Sequence, residues 1–159
     1  MHNSDQKSFF MQEALAMAKI AYANHEVPVG AVIVNDNIII GRGCNELIQK
    51  NDPTGHAEMH AIREAARTIK NYRLTNCDIY VTLEPCPMCI GAIFNSRIKN
   101  LFFGAYDHKT GVCESVVNLG SFKTLNHHCN IFGGILESES KNILQKFFRE
   151  RRLKKTAAK

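Results

Sequence analysis

His56-Ala57-Glu58 and Pro85-Cys86-Pro87-Met88-Cys89 are the residues of this chain whose types and spacing can do chemistry. Zinc favours tetrahedral ligation by His and Cys, and a catalytic zinc keeps three protein ligands and one open position. His56, Cys86 and Cys89 supply that count. Cys-x-x-Cys sets two sulfurs one helical turn apart, so both reach one ion, and a His from a distant segment closes the third corner. Glu58 is then left over for proton transfer. On a regular helix residues i and i+2 diverge, which argues against Glu58 as a fourth ligand. At a helix's first turn, however, Glu58 and His56 can border one cavity. Such a zinc brings bound water to a pKa near ~7, and a neighbouring carboxylate can serve as both base and acid. The competing reading is a closed structural zinc, which needs four protein ligands; no further residue has fitting spacing.

His-x-Glu…Pro-Cys-x-x-Cys is the established signature of zinc nucleobase deaminases, so reading it here applies a known pattern. Alone it implies only a deaminase of an amino-substituted base, because cytidine, cytosine and guanine deaminases resemble it equally. The likeness extends to Glu26-Val-Pro-Val-Gly-Ala31, Thr82-Leu-Glu-Pro-Cys86, Phe103-Gly-Ala105, Asp107 and Phe147-Phe-Arg149. Over most of its length the chain resembles the bacterial tRNA-specific adenosine deaminase family.

That resemblance implies hydrolytic deamination of the wobble adenosine of a tRNA anticodon to inosine, with release of ammonia. It implies one Zn2+ per subunit, the tRNA anticodon arm as partner, and a homodimer. It maps a base- and ribose-contacting asparagine onto Asn45 and the pocket wall onto Val27, Pro28 and Val29, with Ala57 beside them. Asp107 and Asn126 resemble positions that meet the flanking nucleotides, and Phe148 and Arg149 join the substrate-binding set. Read without the resemblance, Asn45, Asp107 and Asn126 are ordinary loop residues. Cys44 stands where the family often has an aromatic residue before the asparagine.

The elements that must position these residues alternate. Phe10, Ala14, Met17 and Ala21 recur at helical spacing, so a helix is expected from about Ser8 to Asn24, its apolar stripe packed in the core. Val29 to Val34 and Ile38 to Gly41 are β-branched runs around the turn signal Asn35-Asp36-Asn37. His56 to Lys70 reads as a helix, Asp78 to Leu83 as a strand, Cys86 to Asn95 as a second site helix and Ile98 to Phe103 as a strand. A last strand is expected over Asn130 to Leu136, broken by Gly133-Gly134, and a final helix from about Ser138. The order predicts a three-layer α/β/α domain over residues 1–159 with a central mixed five-stranded sheet, and the resemblance implies its cytidine-deaminase-like version. Both ligand segments open helices, whose partial positive charge and free N–H groups favour thiolates. Pro85 and Pro87 suit a helix entry.

At 159 residues the chain fits one domain, and a domain near that size buries roughly 68–70% of its unfolded surface. Disulfides are not needed for such a core. The opening Met1-His-Asn-Ser-Asp-Gln-Lys is polar with no apolar stretch behind it, so six cysteines read as thiols of a reducing, cytoplasmic compartment. Cys44, Cys77, Cys113 and Cys129 lack partner spacing and read as buried or incidental thiols. No apolar run approaches the ~20 residues of a membrane span. The net charge of +5 is modest; its placement matters more. Arg149, Arg151, Arg152, Lys154, Lys155 and Lys159 crowd the C-terminus beside Phe147 and Phe148. Single-stranded RNA loops are held by such stacking and phosphate contacts, although a solvated terminal helix has the same composition.

Three functions remain open on these grounds: a tRNA wobble adenosine deaminase, a free-base or nucleoside deaminase, and a silent RNA-binding module with structural zinc. Glu58 argues against the third. A dimer contact through the Cys86 to Asn95 helix and Ile93-Phe94 competes with core packing of the same residues.

Overall fold

The computed structural model describes residues 3–158; Met1, His2 and Lys159 of the expected tail lie outside the described residues. The elements are α1 (Ser4–Ala23), β1 (Gly30–Asn35), β2 (Ile38–Cys44), α2 (Leu47–Lys50), α3 (Ala57–Ile69), β3 (Asp78–Leu83), α4 (Pro87–Asn95), β4 (Asn100–Ala105), a 3-10 turn (Leu119–Ser121), β5 (Asn130–Phe132) and α5 (Glu137–Ala157). Strand order is β2-β1-β3-β4-β5, antiparallel across β2-β1-β3 and parallel across β3-β4-β5, which is the mixed five-stranded sheet expected.

Alternation along the strands divides the core into two layers. Val32, Val34, Tyr80 and Phe102 point to one face and pack under Phe10, Met11 and Ala14 of α1. Ala31, Ile33, Ile79, Val81, Leu101 and Phe103 point to the other and pack under Ala57, Ala61 and Ala65 of α3 and Ile90 and Ile93 of α4. Helix α5 joins the α1 layer: Ser140 sits over Gly104, and Phe147 meets Tyr22 edge to face. Each fully buried aliphatic side chain contributes about 1.5–3 kcal/mol, so the strands' short β-branched runs are enough to hold the sheet between its helices. Ile93 is fully buried in this core, which settles the choice between interface and packing for that residue.

The β1–β2 connection is the two-residue turn that its composition predicts. Asp36 and Asn37 have φ of 47° and 65°, the left-handed pair that a tight hairpin with twisted strands requires and that Asn and Asp tolerate. Several boundaries differ from expectation, β2 running on past Gly41 to Cys44 and β4 past Phe103 to Ala105. Helix α1 starts at Ser4, because the Asn3 side chain accepts the Gln6 N–H and caps it. The strand expected at Ile98 begins at Asn100. The strand expected over Asn130 to Leu136 stops at Phe132, because Gly134 (φ 81°) and Leu136 (φ 49°) turn the chain into α5.

Candidate active site

Strands β2, β3 and β4 run in the same direction, and their C-terminal ends lie along one edge of the sheet. In open α/β sheets this is the edge where ligands bind. Asn45 follows β2, Glu84 follows β3, and Tyr106-Asp107 follow β4. Asn45, Glu84 and Asp107, together with Val27, Val29, Leu47, His56, Glu58, Leu83, Cys86 and Thr110, line a cavity of about 220 Å³.

Two helix N-termini converge there. His56 is the N-cap of α3 and Cys86 the N-cap of α4, each with extended backbone, and neither side chain caps its own helix. Their side chains are thereby released toward each other. The Cys86 and Cys89 sulfurs lie 3.7 and 3.5 Å from His56 Nδ1, and one donor atom from each of the three residues lies within 4.8 Å of the others. Zinc bonds of about 2.0–2.3 Å at tetrahedral angles would set neighbouring donors about 3.6 Å apart. The spacing therefore fits one tetrahedral ion.

The protonation of the three donors points the same way. A hydrogen bond from Cys89, helped by His56, pulls the Cys86 thiol down to about 4 against its burial. The same shared proton raises Cys89, and the Cys86 contact raises His56. Donors that hold a shared proton in this way exchange it for a cation.

Glu58 stands in the first turn of α3 and is 4% exposed. Burial pushes its carboxyl up to about 7, against the lowering effects of its helix-terminal backbone N–H and of His56. A carboxyl poised near neutrality can take a proton and return it. The expected divergence of His56 and Glu58 is avoided because His56 sits at the cap, outside the helix proper.

The seat of α3 depends on a close approach. A Cβ on Gly43 would lie 2.2 Å from the Ala57 carbonyl oxygen, so only glycine lets the helix carrying Glu58 settle on β2. Asn45, the next polar position on that strand's exit, is buried, and its Oδ1 accepts the Ala57 N–H at 3.0 Å. Ala57 thus has its N–H committed to Asn45, leaving the asparagine NH2 group without a partner among the described residues. Pro28 does not line the cavity, whereas Val27 and Val29 do.

Asp107 borders the cavity and is also a turn residue. Its carboxylate accepts from the N–H groups of Lys109 and Thr110 at 2.9 and 3.2 Å and from the Thr110 hydroxyl at 2.6 Å. Burial opposes ionisation, but these bonds, led by the Thr110 hydroxyl, outweigh it and keep the group below its ordinary range. Asn126 lies elsewhere, exposed, its carbonyl accepting from Arg97 at 3.4 Å. Phe148 and Arg149 line a neighbouring groove of about 630 Å³ with Tyr106, Lys109, Lys141 and Arg152. Phe148 is 41% exposed. Groove and cavity draw on neighbouring positions of one segment: Tyr106 and Lys109 line the groove, Asp107 and Thr110 the cavity.

Glu84 is the residue that sequence reasoning passed over. It belongs to the Thr82–Cys86 stretch that carries the family likeness, yet nothing local reveals a role, because its partners come from a loop more than twenty residues on. Cys44, Cys77, Cys113 and Cys129 are buried free thiols raised by desolvation, Cys77 to about 11 and Cys129 to about 12. No helix among the described residues is long and apolar enough to cross a membrane.

The profile of the MafB19-like deaminases matches residues 3–152. The tRNA-specific adenosine deaminase of Haemophilus influenzae is 48% identical over 150 residues, covering 94% of this chain and 87% of its own. The chain belongs to the tRNA-specific adenosine deaminases. A solved structure from a study of A-to-I editing by deaminases at the wobble position of transfer RNA has a TM-score of 0.83 and 45% identity, covering 86% of this chain and 99% of its own. A guanine deaminase from Bacillus subtilis is 43% identical, with a TM-score of 0.60, over 62% of this chain and 63% of its own. The tRNA deaminases match nearly end to end, and the guanine deaminase matches in part.

Proposed function

We propose that this enzyme is a zinc-dependent hydrolase that converts adenosine to inosine at the wobble position of a tRNA anticodon and releases ammonia. The end-to-end likeness to tRNA-specific adenosine deaminases supports the reaction and substrate. The observation that carries the reading to this chain's own residues is a groove bearing Phe148, Arg149, Arg152, Lys109 and Lys141, whose Tyr106 and Lys109 are chain neighbours of the cavity's Asp107 and Thr110. A free base needs only the cavity. An RNA loop needs cations for its phosphates and an aromatic face for its bases.

His56, Cys86 and Cys89 hold one zinc per subunit, which supplies Lewis acidity and brings a water's pKa toward ~7. Glu58 takes the proton of the attacking water and delivers it to N1 of adenine as C6 becomes tetrahedral. A second transfer carries the proton of the oxygen added at C6 through Glu58 to the exocyclic nitrogen, so the C6–N bond breaks, ammonia leaves and C6 becomes a carbonyl. Asn45 donates its NH2 to the nucleotide, while Val29 and the backbone at Ala57 bound the ring. Asp107, Phe148 and Arg149 hold the neighbouring nucleotides, and Asn126, exposed on its own loop, reaches the RNA outside the cavity. A target base must leave its stack to reach such a site, so unpaired anticodon loops are the least costly substrates.

The enzyme acts in the cytoplasm as a homodimer of single-domain subunits. Exposed Val116, Val117, Phe122 and Leu125, all in the segment between β4 and β5, offer apolar surface to a second copy. Comparing deamination of an anticodon stem-loop with that of free adenosine, cytosine and guanine tests the substrate assignment. Turnover of the stem-loop alone is expected; turnover of a free base alone would transfer the chain to the guanine-deaminase type of activity.

A further inference from the structure

We infer that Glu84 is a positioning residue for the substrate wall, fixing the Asp107–Ser115 loop to the segment that carries the metal ligands. This rests on the RNA deaminase reading above. Glu84 is 2% exposed, and its carboxylate gathers donors from one loop. Oε1 accepts the N–H groups of Cys113, Glu114 and Ser115 at 3.0, 2.8 and 2.9 Å. Oε2 accepts the Asp107 N–H at 3.0 Å and the Ser115 hydroxyl. Five donors on one carboxylate saturate its lone pairs.

The backbone on either side extends the seam. Glu84 N–H donates to the Ala105 carbonyl at 2.9 Å, and Val112 N–H donates to the Pro85 carbonyl at 3.1 Å. Two residues beyond Glu84 comes the ligand Cys86. Asp107 and Thr110, both on the cavity wall, are therefore hung from the same three-residue segment that presents the first cysteine. The loop is also shaped around the carboxylate: a Cβ on Gly111 would lie 2.4 Å from Glu84 Cδ. Most of the segment from 107 to 115 lacks helix or strand pairing, so Glu84 supplies order that the backbone ladder does not. A displaced Asp107 leaves the proton chemistry of Glu58 intact and loosens the grip on RNA next to the target base.

An amide cannot replace this carboxylate. Its NH2 group must face either the three N–H groups at Oε1 or the Asp107 N–H at Oε2, donor against donor. Steady-state kinetics on an anticodon stem-loop with adenosine at the wobble position, using zinc-loaded wild type, Glu84→Gln, Ser115→Ala, Asp107→Ala and the Glu84→Gln/Asp107→Ala double variant, tests the assignment. Glu84→Gln is expected to raise KM about tenfold with kcat within about twofold, and Ser115→Ala to raise it by about threefold. The increases in the double variant should fall well short of multiplying, because both act through one loop. Unchanged KM in Ser115→Ala and Glu84→Gln, or multiplicative effects in the double variant, overturns the role, even if melting temperatures fall. Should Glu84→Gln not fold, Ser115→Ala decides. Wild type inactive on the stem-loop but active on a free base overturns the RNA reading itself.

Discussion

Asn45 Oδ1 accepts the Ala57 N–H across two elements, tying the exit of β2 to the first turn of α3. The N-cap of α3 is His56, whose imidazole faces the two cysteines and makes no cap bond. Asn45 supplies the missing cap from outside the helix, and the same bond orients its NH2. Asn45→Asp retains the acceptor and loses the donor. It should keep a melting temperature near wild type while kcat/KM on the stem-loop falls about tenfold or more, the worth of one lost hydrogen bond at a buried site. Asn45→Ala should lose activity similarly and also about 1 kcal/mol of stability, the usual value of an N-cap. Full activity in Asn45→Asp would remove the asparagine NH2 from substrate binding.

Metal content gives a second expectation. Cys86→Ala and Cys89→Ala should each purify with little zinc, while wild type holds about one per chain. Chelation should lower the wild-type melting temperature, since an ion bound only by the folded state stabilises it. Elemental analysis and thermal melts read both effects; full zinc in both variants would refute the ligand set.

The part of the site legible in the sequence is the part built from local spacing. His56, Glu58, Cys86 and Cys89 lie within a few residues of each other in two segments, and each pair opens a helix, so residue type and spacing identify them. The β1–β2 turn was readable for the same reason, as Asn35-Asp36-Asn37 carries its own backbone preference. Glu84 and the Asn45–Ala57 bond were not, because their partners are distant in sequence. Helix α2 was missed for a similar reason: two of its N–H groups, from Ile48 and Gln49, are accepted by Glu26 Oε1 at 2.7 and 2.8 Å, more than twenty residues earlier. The end of β5 at Phe132 depends on left-handed backbone at Gly134 and Leu136, and only the glycine hinted at it.

Acid stability should expose the Glu84 clamp. Burial alone would raise its pKa, but bonds from the Ser115 hydroxyl and from the Glu114, Asp107 and Ser115 N–H groups outweigh it and hold the pKa below the ordinary 4.5. Between the folded value and 4.5 the unfolded chain binds more protons, so stability falls as pH falls. The contribution is complete above the unfolded pKa and is lost as pH drops through the folded one. Melting temperatures between about pH 6 and pH 3 should therefore decline more steeply for wild type than for Glu84→Gln, which has no proton to bind there. Parallel curves would show that Glu84 is not held ionised.

Salt dependence reports on the groove beside the cavity. Each phosphate contact on single-stranded nucleic acid adds roughly −0.7 to the slope of log affinity against log salt. Arg149→Ala and Arg152→Ala should each weaken stem-loop binding and flatten that slope by about 0.7, with zinc content unchanged. Equal slopes in wild type and both variants would place the RNA elsewhere.

The most direct test of the central claim is to map inosine in a full tRNA transcript bearing adenosine at the wobble position and at several other sites, after incubation with wild type or Glu58→Gln. Wild type should place inosine at the wobble position alone, with one ammonia released per inosine. Glu58→Gln should keep its zinc and bind the tRNA but convert it slower by roughly 10²–10⁴-fold or more, as expected when one carboxylate serves as both base and acid. Inosine spread over the other adenosines, no inosine at all from zinc-loaded wild type, or a Glu58→Gln rate within about tenfold of wild type would contradict the account.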